Sequence, residues 1–566
     1  MNLRPKKNRS RGYALLLVFF LLGISVFLLS GALQWISTQS RIIDRNNQYQ
    51  NCAAVAEAAV EKIVAAMSQD YFTNDENYVY TNLAAYRTMV PTTNESSLWA
   101  GFQFNDAQAN LNRTYASRLS NWVYGAVQTK YSGLQGYSAT YRIISNARPL
   151  TGATGLVNAV RRDVQLASIP LFSFGAFFAV DMEICPTTAF SLGGRVHCNG
   201  SIYVKPSSTL TFSSHVTAMQ QIVHDRSPLD PVQRTMGTIT YNAEHDGGVR
   251  SFLLPIGTNN NSAALHSIIE IPPAGESTNS LMGRQRYFNN ADLIILVSNN
   301  TVVAKSGSYN NFSVSVPWSQ VSVFINTNAS FYNMREGKTV RATEYDVTQF
   351  NSQYAYLISV LGRSPKIVYL ADLRTQISTT QPGIRLINGQ TLNTNGLTVA
   401  TVNPLYVVGH FNVPDPARGT TNTSATAPAS LAADAITLLS DAWKDNQAGS
   451  GLSARNANNM TCNAAMIAGI VASDGTYYSG GVDNLIRLLE EWTGKTLTIN
   501  GSLVCLFTSQ TATAPWGASA TVYNPPTRNW NFDQNFLNAA KLPPGSPQLR
   551  CVLRGEWASI QPNTIQ

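Results

Sequence analysis

Catalytic signatures are missing from this sequence of 566 residues. It has no P-loop, no GxGxxG dinucleotide fingerprint, no HExxH zinc motif and no GxSxG nucleophile elbow, and the enzyme classes that depend on those motifs are therefore poor candidates. Only six histidines occur, and they are not spaced as zinc ligands are. We predict that the protein is not an enzyme and that it binds no cofactor and no metal.

Charge is also scarce, and it is unevenly placed. Asp, Glu, Lys and Arg make up 13% of the residues, and the net charge is +8. Five of the 40 basic residues precede the first apolar run: Arg4, Lys6, Lys7, Arg9 and Arg11. Without those five, 35 basic residues face 32 acidic ones, which leaves the rest of the chain near +3. We therefore predict no nucleic-acid partner.

Cysteine forms no metal or redox motif, because none of the six cysteines stands in a CxxC pair. An oxidising compartment outside the cytoplasm would permit disulfides. The pair that we predict is Cys185 with Cys198, and buried free thiols are the alternative.

One long stretch has no charge at all. Between Gly12 and Ser40 no residue is charged, and Tyr13–Leu33 is strongly apolar. A helix of this length spans about 31 Å, the thickness of a bilayer core, whereas the apolar part of a cleaved secretory signal has about 7–15 residues. The basic residues before it predict a cytoplasmic N-terminus, a single span of the inner membrane and a body outside.

The helical pattern continues beyond the apolar stretch. "CAAVAEAAVEKIVAAM" is rich in Ala, the best helix former, and its apolar residues recur mostly on one face. The sequence therefore predicts one helix, apolar all round in its first half and amphipathic in its second. A simple anchor followed by a helical stalk is the alternative.

The start of this helix resembles the class III signal of type IV pilins. A basic leader ends in Gly12, and the aromatic Tyr13 and "ALLLV" follow. The later "AAVAEAAVEKIVAAM" is similar to a stretch of PilX-type minor pilins. The resemblance implies cleavage between Gly12 and Tyr13 by prepilin peptidase, and a membrane and filament stem that includes Leu17, Leu21 and Phe27. It implies as partners other pilins or pseudopilins and the inner-membrane assembly platform, with display at the cell surface or in a pilus.

One position departs from the pilin pattern. Most pilins carry Glu at the fifth mature position, where it neutralises the N-terminal amine of a neighbouring subunit, and this chain has Leu17 there. Leu17 is compatible with lipid but cannot form that ion pair. The departure favours a minor, tip or initiating component over the bulk filament subunit.

The composition and the residue pattern of the body are typical of β-structure. Asn, Ser, Thr and Gly are abundant, and short alternating stretches separated by Gly or Asn turns follow one another from about residue 172. Similar stretches return late, as in "NGLTVATVNPLYVVGHFNV" and "GKTLTINGSLVCLFTS". Evenly spaced short strands are typical of a solenoid. We predict a mainly β protein with a long N-terminal α-helix and a right-handed β-helix-like body; two independent β domains are the alternative.

The predicted organisation has six parts. They are a basic leader (1–12), a pilin-like transmembrane and amphipathic helix (13–70), a pilin-like α+β region (71–170), first β-helix rungs (171–225), an α+β insertion (226–392) and the remaining rungs with a C-terminal segment (393–566). Within the last part, "GVDNLIRLLEEWTG" (481–494) predicts an amphipathic helix.

The exported part also resembles a group of large bacterial proteins that join a PilX-type stem to such a body, in stretches such as "MEICPTTAFSLGGRVHCNGSIYV" and "KLPPGSPQLRCVLRGEW".

A few side chains suggest chemistry in the body. Asp181 and Glu183 alternate on one strand, where paired carboxylates bind calcium or cleave glycosides, but we expect them to be solvated surface groups. Six tryptophans are candidates for sugar-stacking platforms: Trp318, Trp443, Trp492, Trp516, Trp530 and Trp557. We expect most of them in the core and select Trp516 and Trp530, which lie in a loop rich in Pro and Gly, as glycan contacts.

Three hypotheses for function follow. The first is a minor pilin-like surface component with a role in assembly, at the tip or in adhesion. The second is a membrane-anchored β-helix protein that binds or cleaves carbohydrate. The third is a structural envelope protein without a pilus.

Overall fold

A helix of 63 residues, α1 (Arg11–Thr73), begins the described part of the chain. The computed structural model describes residues 11–106, 108–128, 133–151, 155–517 and 522–564. The single long helix predicted over residues 13–70 is confirmed. Shorter helices follow: α2 (Glu76–Thr81), α3 (Leu83–Tyr86), α4 (Ser262–His266), α5 (Tyr287–Asn290), α6 (Trp318–Val321) and α7 (Val347–Leu361).

The rest of the described chain is mainly β, as predicted. The strands before residue 250 are β1 (Phe102–Asn105), β2 (Tyr115–Arg118), β3 (Val123–Ala126), β4 (Gln135–Pro149), β5 (Asn158–Pro170), β6 (Ala176–Phe178), β7 (Met182–Ile184), β8 (Phe190–Leu192), β9 (Val196–Cys198), β10 (Ile202–Val204), β11 (Leu210–Phe212), β12 (Val216–Ala218), β13 (Ile222–Val223), β14 (Ile239–Tyr241) and β15 (His245–Asp246). The later strands are β16 (Leu293–Val297), β17 (Val302–Ser306), β18 (Ser315–Val316), β19 (Ile325–Asn333), β20 (Lys338–Asp346), β21 (Ile367–Asp372), β22 (Thr380–Ile387), β23 (Leu397–Ala400), β24 (Leu405–Val408), β25 (Ala429–Ala433), β26 (Ile436–Leu439), β27 (Met460–Ala468), β28 (Ile486–Arg487), β29 (Thr496–Cys505), β30 (Thr527–Phe532) and β31 (Gln548–Ile560). Short 3₁₀ turns lie at Ser97–Gly101, Leu171–Ser173, Ser267–Ile269, Ser308–Asn310, Asp415–Ala417, Asp445–Gln447, Leu452–Ala454, Val482–Asn484, Gln534–Leu537 and Ala539–Lys541.

Two compact units divide the chain. The first consists of the described residues of Met1–Asn121, Ala139–Gln165 and Arg554–Gln566. In its sheet, β1 and β2 pair antiparallel with β4, β5 follows β4, and β31 follows β5. Strand β4 contains "YSATYRIISNA", and β5 contains "VRRDVQLASI". The second half of α1 contributes to the core of this unit.

The second unit comprises Trp122–Ser138 and Leu166–Leu553. Its first part repeats with a step of 20 residues: Met182 of β7 pairs in parallel with Ile202 of β10, which pairs with Ile222 of β13. The same step relates β8 to β11 and β9 to β12. The apolar residues of these three-residue strands are buried together in one core. The short strands predicted between residues 172 and 225 are therefore present, and each stacks on the strand one repeat later.

The late strands form a second parallel series. In one sheet β21, β23, β25, β27 and β29 follow one another, and in another β20, β22, β24, β26 and β28 do. The first of these sheets has 13 strands and also contains β6, β9, β12 and β15, because β29 pairs in parallel with β6. Some of the early strands and some of the late strands therefore share one sheet.

The strand order shows how the chain fills this sheet. From one edge inwards, the spatial order of the strands is β15-β12-β9-β6-β29-β27-β25-β23-β21-β16. The chain enters at β6, reaches one edge at β15, crosses between residues 247 and 292, and returns through β21 to β29 beside its starting point.

Helix α7 is fixed by its ends. The carboxylate of Asp346 accepts a hydrogen bond from the backbone N–H of Gln349 at 3.0 Å, which caps the first turn. Gly362 ends the helix with φ of 76°, a left-handed conformation that suits glycine. Both ends of α7 are therefore fixed by residues that favour a helix boundary.

The prediction of a helix at 481–494 is wrong. The segment contains a short 3₁₀ turn and strand β28, which pairs in parallel with β26. Leu485, Leu489, Glu490 and Trp492 are all buried, and the segment therefore has no solvent-facing side for an amphipathic helix to present.

The range predicted as an α+β insertion, 226–392, also contributes to the two sheets of the late parallel series. It contains α7 and the antiparallel pair β16–β17, as an α+β region does. Its strands β21 and β22, however, pair in parallel with β23 and β24. The late parallel series therefore begins before residue 393.

Candidate functional site

The first half of α1 is an exposed apolar surface. Tyr13 is 81% exposed, Leu17 63%, Leu21 54% and Phe27 82%. Within the described residues, α1 is the one helix that is long and apolar enough to cross a membrane. A contiguous apolar surface of this kind is unfavourable in water and marks a site for lipid or for other helices.

The helix changes character near Cys52. From there its apolar residues are buried at spacings of three and four, and the set comprises Cys52, Val55, Ala56, Ala59, Val60, Ile63, Val64, Met67 and Tyr71. This spacing places them on one face, which the core of the first unit covers. The same continuous helix is thus exposed in its first half and packs into the core of a folded unit in its second half.

Ion pairs hold the buried half in place. One carboxylate oxygen of Glu61 lies 3.1 Å from Arg162 of β5, and the other lies 2.6 Å from Arg554 of β31. Lys62 donates to the carbonyl of Val90 at 2.8 Å. Contacts from Glu61 and from Lys62 therefore restrict the rotation of the helix about its own axis.

A buried carboxylate follows the end of α1. Glu76 of α2 is 6% exposed. It accepts a hydrogen bond from the hydroxyl of Tyr141 at 2.5 Å and lies 3.1 Å from the guanidinium of Arg118. Burial, followed by the hydrogen bond to Glu76, raises the pKa of Tyr141, which keeps the phenol protonated as a donor.

The residues predicted for processing lie at the start of this helix. Gly12 and Tyr13 are both within α1. Residues 1–10, which hold most of the predicted leader, lie outside the described residues. Leu17, Leu21 and Phe27 belong to the exposed half, and the first acidic residue of the sequence is Asp44. The exposed half therefore offers no carboxylate to a neighbouring amine.

The disulfide predicted between Cys185 and Cys198 is not formed. All six cysteines are buried free thiols. Cys185 follows β7 in a three-stranded sheet, whereas Cys198 ends β9 in the 13-stranded sheet, and the two therefore belong to different faces of the repeat. Burial raises the pKa of Cys185 to about 11 and that of Cys198 to about 12, which keeps both thiols protonated and unreactive.

The expectation that Asp181 and Glu183 are both solvated holds for one of them. Asp181 is exposed and accepts from the N–H of Ser201 at 2.8 Å. Glu183 is 7% exposed, and one of its oxygens accepts from the hydroxyl of Ser473 at 2.7 Å. Burial raises the pKa of Glu183. The prediction for Glu183 was wrong because a segment distant in sequence covers it.

The two predicted glycan contacts have different environments. Trp530 is 4% exposed and packs edge-on against Phe190 at a ring distance of 5.3 Å. Its ring is part of the core and is not available to stack on a sugar. Trp516 is half-buried and packs against Tyr523 at 5.2 Å.

A polar cleft lies elsewhere in the second unit, and the sequence interpretation did not select it. Trp318 is 43% exposed and lines a cleft of about 410 Å³ together with the turn between β16 and β17. The signal in the sequence is a Trp directly after Pro317, close to an Asn-rich turn.

Across the described ranges, no three His, Cys, Asp or Glu side chains are arranged to hold a metal ion.

Comparison with known proteins gives little further information. No family model matches the chain, and no curated protein matches it. Among solved structures it is similar to the competence-associated pilin ComZ from Thermus thermophilus, with 12% identity over 91% of this chain and 97% of that chain and a TM-score of 0.29. A TM-score this low does not establish a shared fold, so neither the fold nor the function of this chain is argued from that similarity.

Proposed function

We propose that the protein is a minor pilin-like component of a type IV pilus or of a related secretion pseudopilus. The observation that carries the proposal is the two-part helix α1, whose exposed apolar half continues without a break into a half that is buried in the first unit. A pilin needs such a stem, because the same helix anchors the subunit in the membrane and later packs among other stems in the filament.

The continuity of α1 argues for a permanent stem. A secretory signal is removed, and the folded domain does not depend on it. Here the apolar residues on one face, from Cys52 to Tyr71, are core residues of a unit that the helix enters directly from the apolar run. The basic residues before Gly12 favour a cytoplasmic N-terminus, and hence a body displayed outside the inner membrane.

We infer that the body is a β-helix of the right-handed type. The parallel pairing at steps of 20 residues, the shared sheet of early and late strands and the burial of inward side chains all support this interpretation. A body of this kind is stable without a filament around it, because each turn buries its core against the next.

We expect no catalytic activity from this body. Glu183, one of the two carboxylates considered for catalysis, is buried. The competing hypothesis of a membrane-anchored, carbohydrate-active protein requires acids that converge in an accessible cleft.

Processing gives the most direct test. We expect the mature protein to begin at an N-methylated Tyr13, as measured by mass spectrometry of protein purified from cells that contain prepilin peptidase. Gly12→Val should block cleavage and leave the leader attached. Gly23→Val is a matched control, because Gly23 lies in the same helix with open space around it, and this variant should be cleaved normally. An intact Met1 terminus in the unmodified protein, or a cut beyond Leu33, would show that the proposal is wrong.

Position in the filament is the second test. Leu17 provides no carboxylate for a neighbouring amine, and a buried unpaired amine is unfavourable. Immunogold labelling of sheared filaments should mark their ends, and Leu17→Glu should increase the amount of protein that enters the filament. Labelling along the whole shaft at a stoichiometry near that of the major pilin would contradict the tip assignment.

A further inference from the structure

We propose that the polar cleft beside Trp318 binds a neutral oligosaccharide. The cleft, called the Trp318 cleft below, lies between the turn 298–301, Trp318, Thr327, Asn328 and Arg374. Its volume of about 410 Å³ falls within the roughly 300–1,000 Å³ that is usual for small-molecule sites. The proposal concerns the second unit alone and does not depend on the assignment of the stem.

Trp318 provides an exposed aromatic surface beside the cleft. It is the first residue of α6, directly after Pro317, and 43% of its area is exposed. Its indole N–H has no hydrogen-bond partner among the described residues. Trp492 and Trp530 of the same unit are enclosed, with exposures of 0% and 4%, and Trp516 is half-buried. A half-exposed indole with a free N–H offers both an apolar face for sugar C–H groups and a donor for a hydroxyl.

Free side-chain amides face the same cleft. Asn300 and Asn328 are exposed, and in the described part of the chain their side-chain amides have no partner. The neighbouring Asn299 differs, because its amide donates to the hydroxyl of Thr375 at 2.9 Å and so holds the turn in place. Each free amide combines a donor with an acceptor, which matches the neighbouring hydroxyl groups of a sugar ring.

The charge in the cleft favours an uncharged ligand. Among the described residues that line the cleft, Arg374 is the one with a charged side chain. Its Nε lies 2.9 Å from a carboxylate oxygen of Asp372, and its Nη1 donates to the carbonyl of Thr327 at 2.7 Å. Asp372 is 1% exposed. The guanidinium is therefore neutralised and held rigid as the floor of the cleft, and an acidic sugar would find no free cation.

Binding can be measured on the full-length protein in a zwitterionic detergent without a sugar head group. The probes are maltotriose, chitotriose and a lactose-based neutral trisaccharide, with 3′-sialyllactose as the acidic comparison. Calorimetry and tryptophan fluorescence should show saturable binding of at least one neutral probe and weaker binding of sialyllactose. Trp318→Ala should weaken the binding at least about 10-fold, since a stacking contact and a hydrogen bond are both lost.

The control is Trp557→Ala, because Trp557 has a nearly equal exposure of 44% and lies in the other unit. The affinity of this variant for the neutral probes should not change. Asn300→Ala and Asn328→Ala change exposed residues without internal partners and should each weaken binding about 3- to 10-fold. Trp318→Phe should restore part of the affinity. The proposal is overturned if no neutral probe binds at millimolar concentration, if Trp318→Ala and the two Asn variants bind as well as the unmodified protein, or if sialyllactose binds most tightly.

Discussion

The side-chain amide of Asn500 donates a hydrogen bond to Oδ1 of Asn463 across 2.8 Å, from strand β29 to strand β27. The next strand continues the pattern, because the amide of Asn531 in β30 donates to Oδ1 of Asn500 at 3.2 Å. The three residues are also paired in register along the strands. Asn463 and Asn500 are 2% and 1% exposed. Stacked amides thus satisfy one another inside the parallel sheet, where water cannot.

Removing the middle amide should destabilise the second unit. Asn500 also donates to the carbonyl of Thr420 at 2.9 Å, so Asn500→Ala leaves this carbonyl and the buried Oδ1 of Asn463 without that donor and removes the acceptor of the Asn531 amide. We expect a loss of about 2–4 kcal/mol in the free energy of unfolding, measured by urea denaturation. Asn500→Asp should be worse at pH 7 than at pH 4, because a buried carboxylate would face the acceptor oxygen of Asn463.

The control for the stacked amides is Asn94→Ala, which changes an exposed turn residue of the first unit and should shift stability by no more than about 0.5 kcal/mol. If Asn500→Ala is as mild as this control, the stacked amides do not stabilise the sheet.

A buried histidine makes stability depend on pH. Both ring nitrogens of His266 face carboxylates: Nδ1 lies 2.6 Å from Glu270, and Nε2 lies 3.1 Å from Asp434. Burial alone lowers the pKa of His266, but the hydrogen bonds to Asp434 and Glu270 outweigh burial and raise the pKa above its usual value. The folded state therefore binds this proton more tightly than the unfolded state. The stabilisation is fully present below about pH 6.5 and is lost as the pH rises through the raised pKa.

The His266 effect should appear as a fall in unfolding temperature as the pH rises above 6.5. His266→Gln should be less stable at pH 6 and should show a flatter profile across this range. The exposed His224 provides the matched control, since His224→Gln should keep the slope of the unmodified protein. Equal slopes for the His266 variant and the unmodified protein would contradict the role of this imidazolium.

Glu490 should contribute to pH dependence in a lower window. It is fully buried, and both of its oxygens accept from Ser440, one from the backbone N–H at 2.6 Å and one from the hydroxyl at 2.7 Å. Burial raises the pKa of Glu490 to about 7. The folded state holds the proton more tightly than the unfolded state, so stability falls as the pH rises from about 4.5 to 7, by an amount on the order of 3 kcal/mol.

Glu490→Gln keeps the shape of the side chain without the charge, and we expect it to remove this slope and to exceed the stability of the unmodified protein at pH 8. Glu491→Gln is the control. Hydrogen bonds to Thr493 outweigh partial burial and lower the pKa of Glu491, so this change should leave the profile above pH 5 unaltered. Differential scanning calorimetry from pH 4.5 to 8 distinguishes the two variants.

Local patterns in the sequence predict some of these elements well. Helix α1 is predictable because its apolar and Ala-rich residues repeat within a few positions, and α7 because Asp346 and Gly362 mark its ends. The short strands from β7 to β12 are predictable because Gly and Asn turns separate them.

Long-range pairing is what the sequence does not reveal. Glu183 is covered by Ser473, which is 290 residues away in the chain, and no local signal distinguishes it from the exposed Asp181. The segment from Leu485 to Trp492 has the apolar spacing of a helix, yet burial on all sides makes it part of a strand layer. The pairing of β29 with β6 likewise joins distant segments. These features depend on the topology of the sheet, which a single sequence does not specify.

The apolar half of α1 should tolerate charge poorly. Leu21 and Phe27 are 54% and 82% exposed in a run without charge, and each lysine placed in the middle of a membrane-spanning helix costs about 2.5–3.5 kcal/mol of apparent insertion free energy. The double variant Leu21→Lys/Phe27→Lys should therefore lose most of its resistance to carbonate extraction from membranes. The matched control is Ile42→Lys/Ile43→Lys, which changes two residues of similar exposure, 48% and 55%, on the same helix after the apolar run. We expect the control to stay in the membrane fraction, because its lysines lie beyond the hydrocarbon core. If both double variants are extracted equally, or if neither is, the apolar run is not the segment that holds the protein in the membrane.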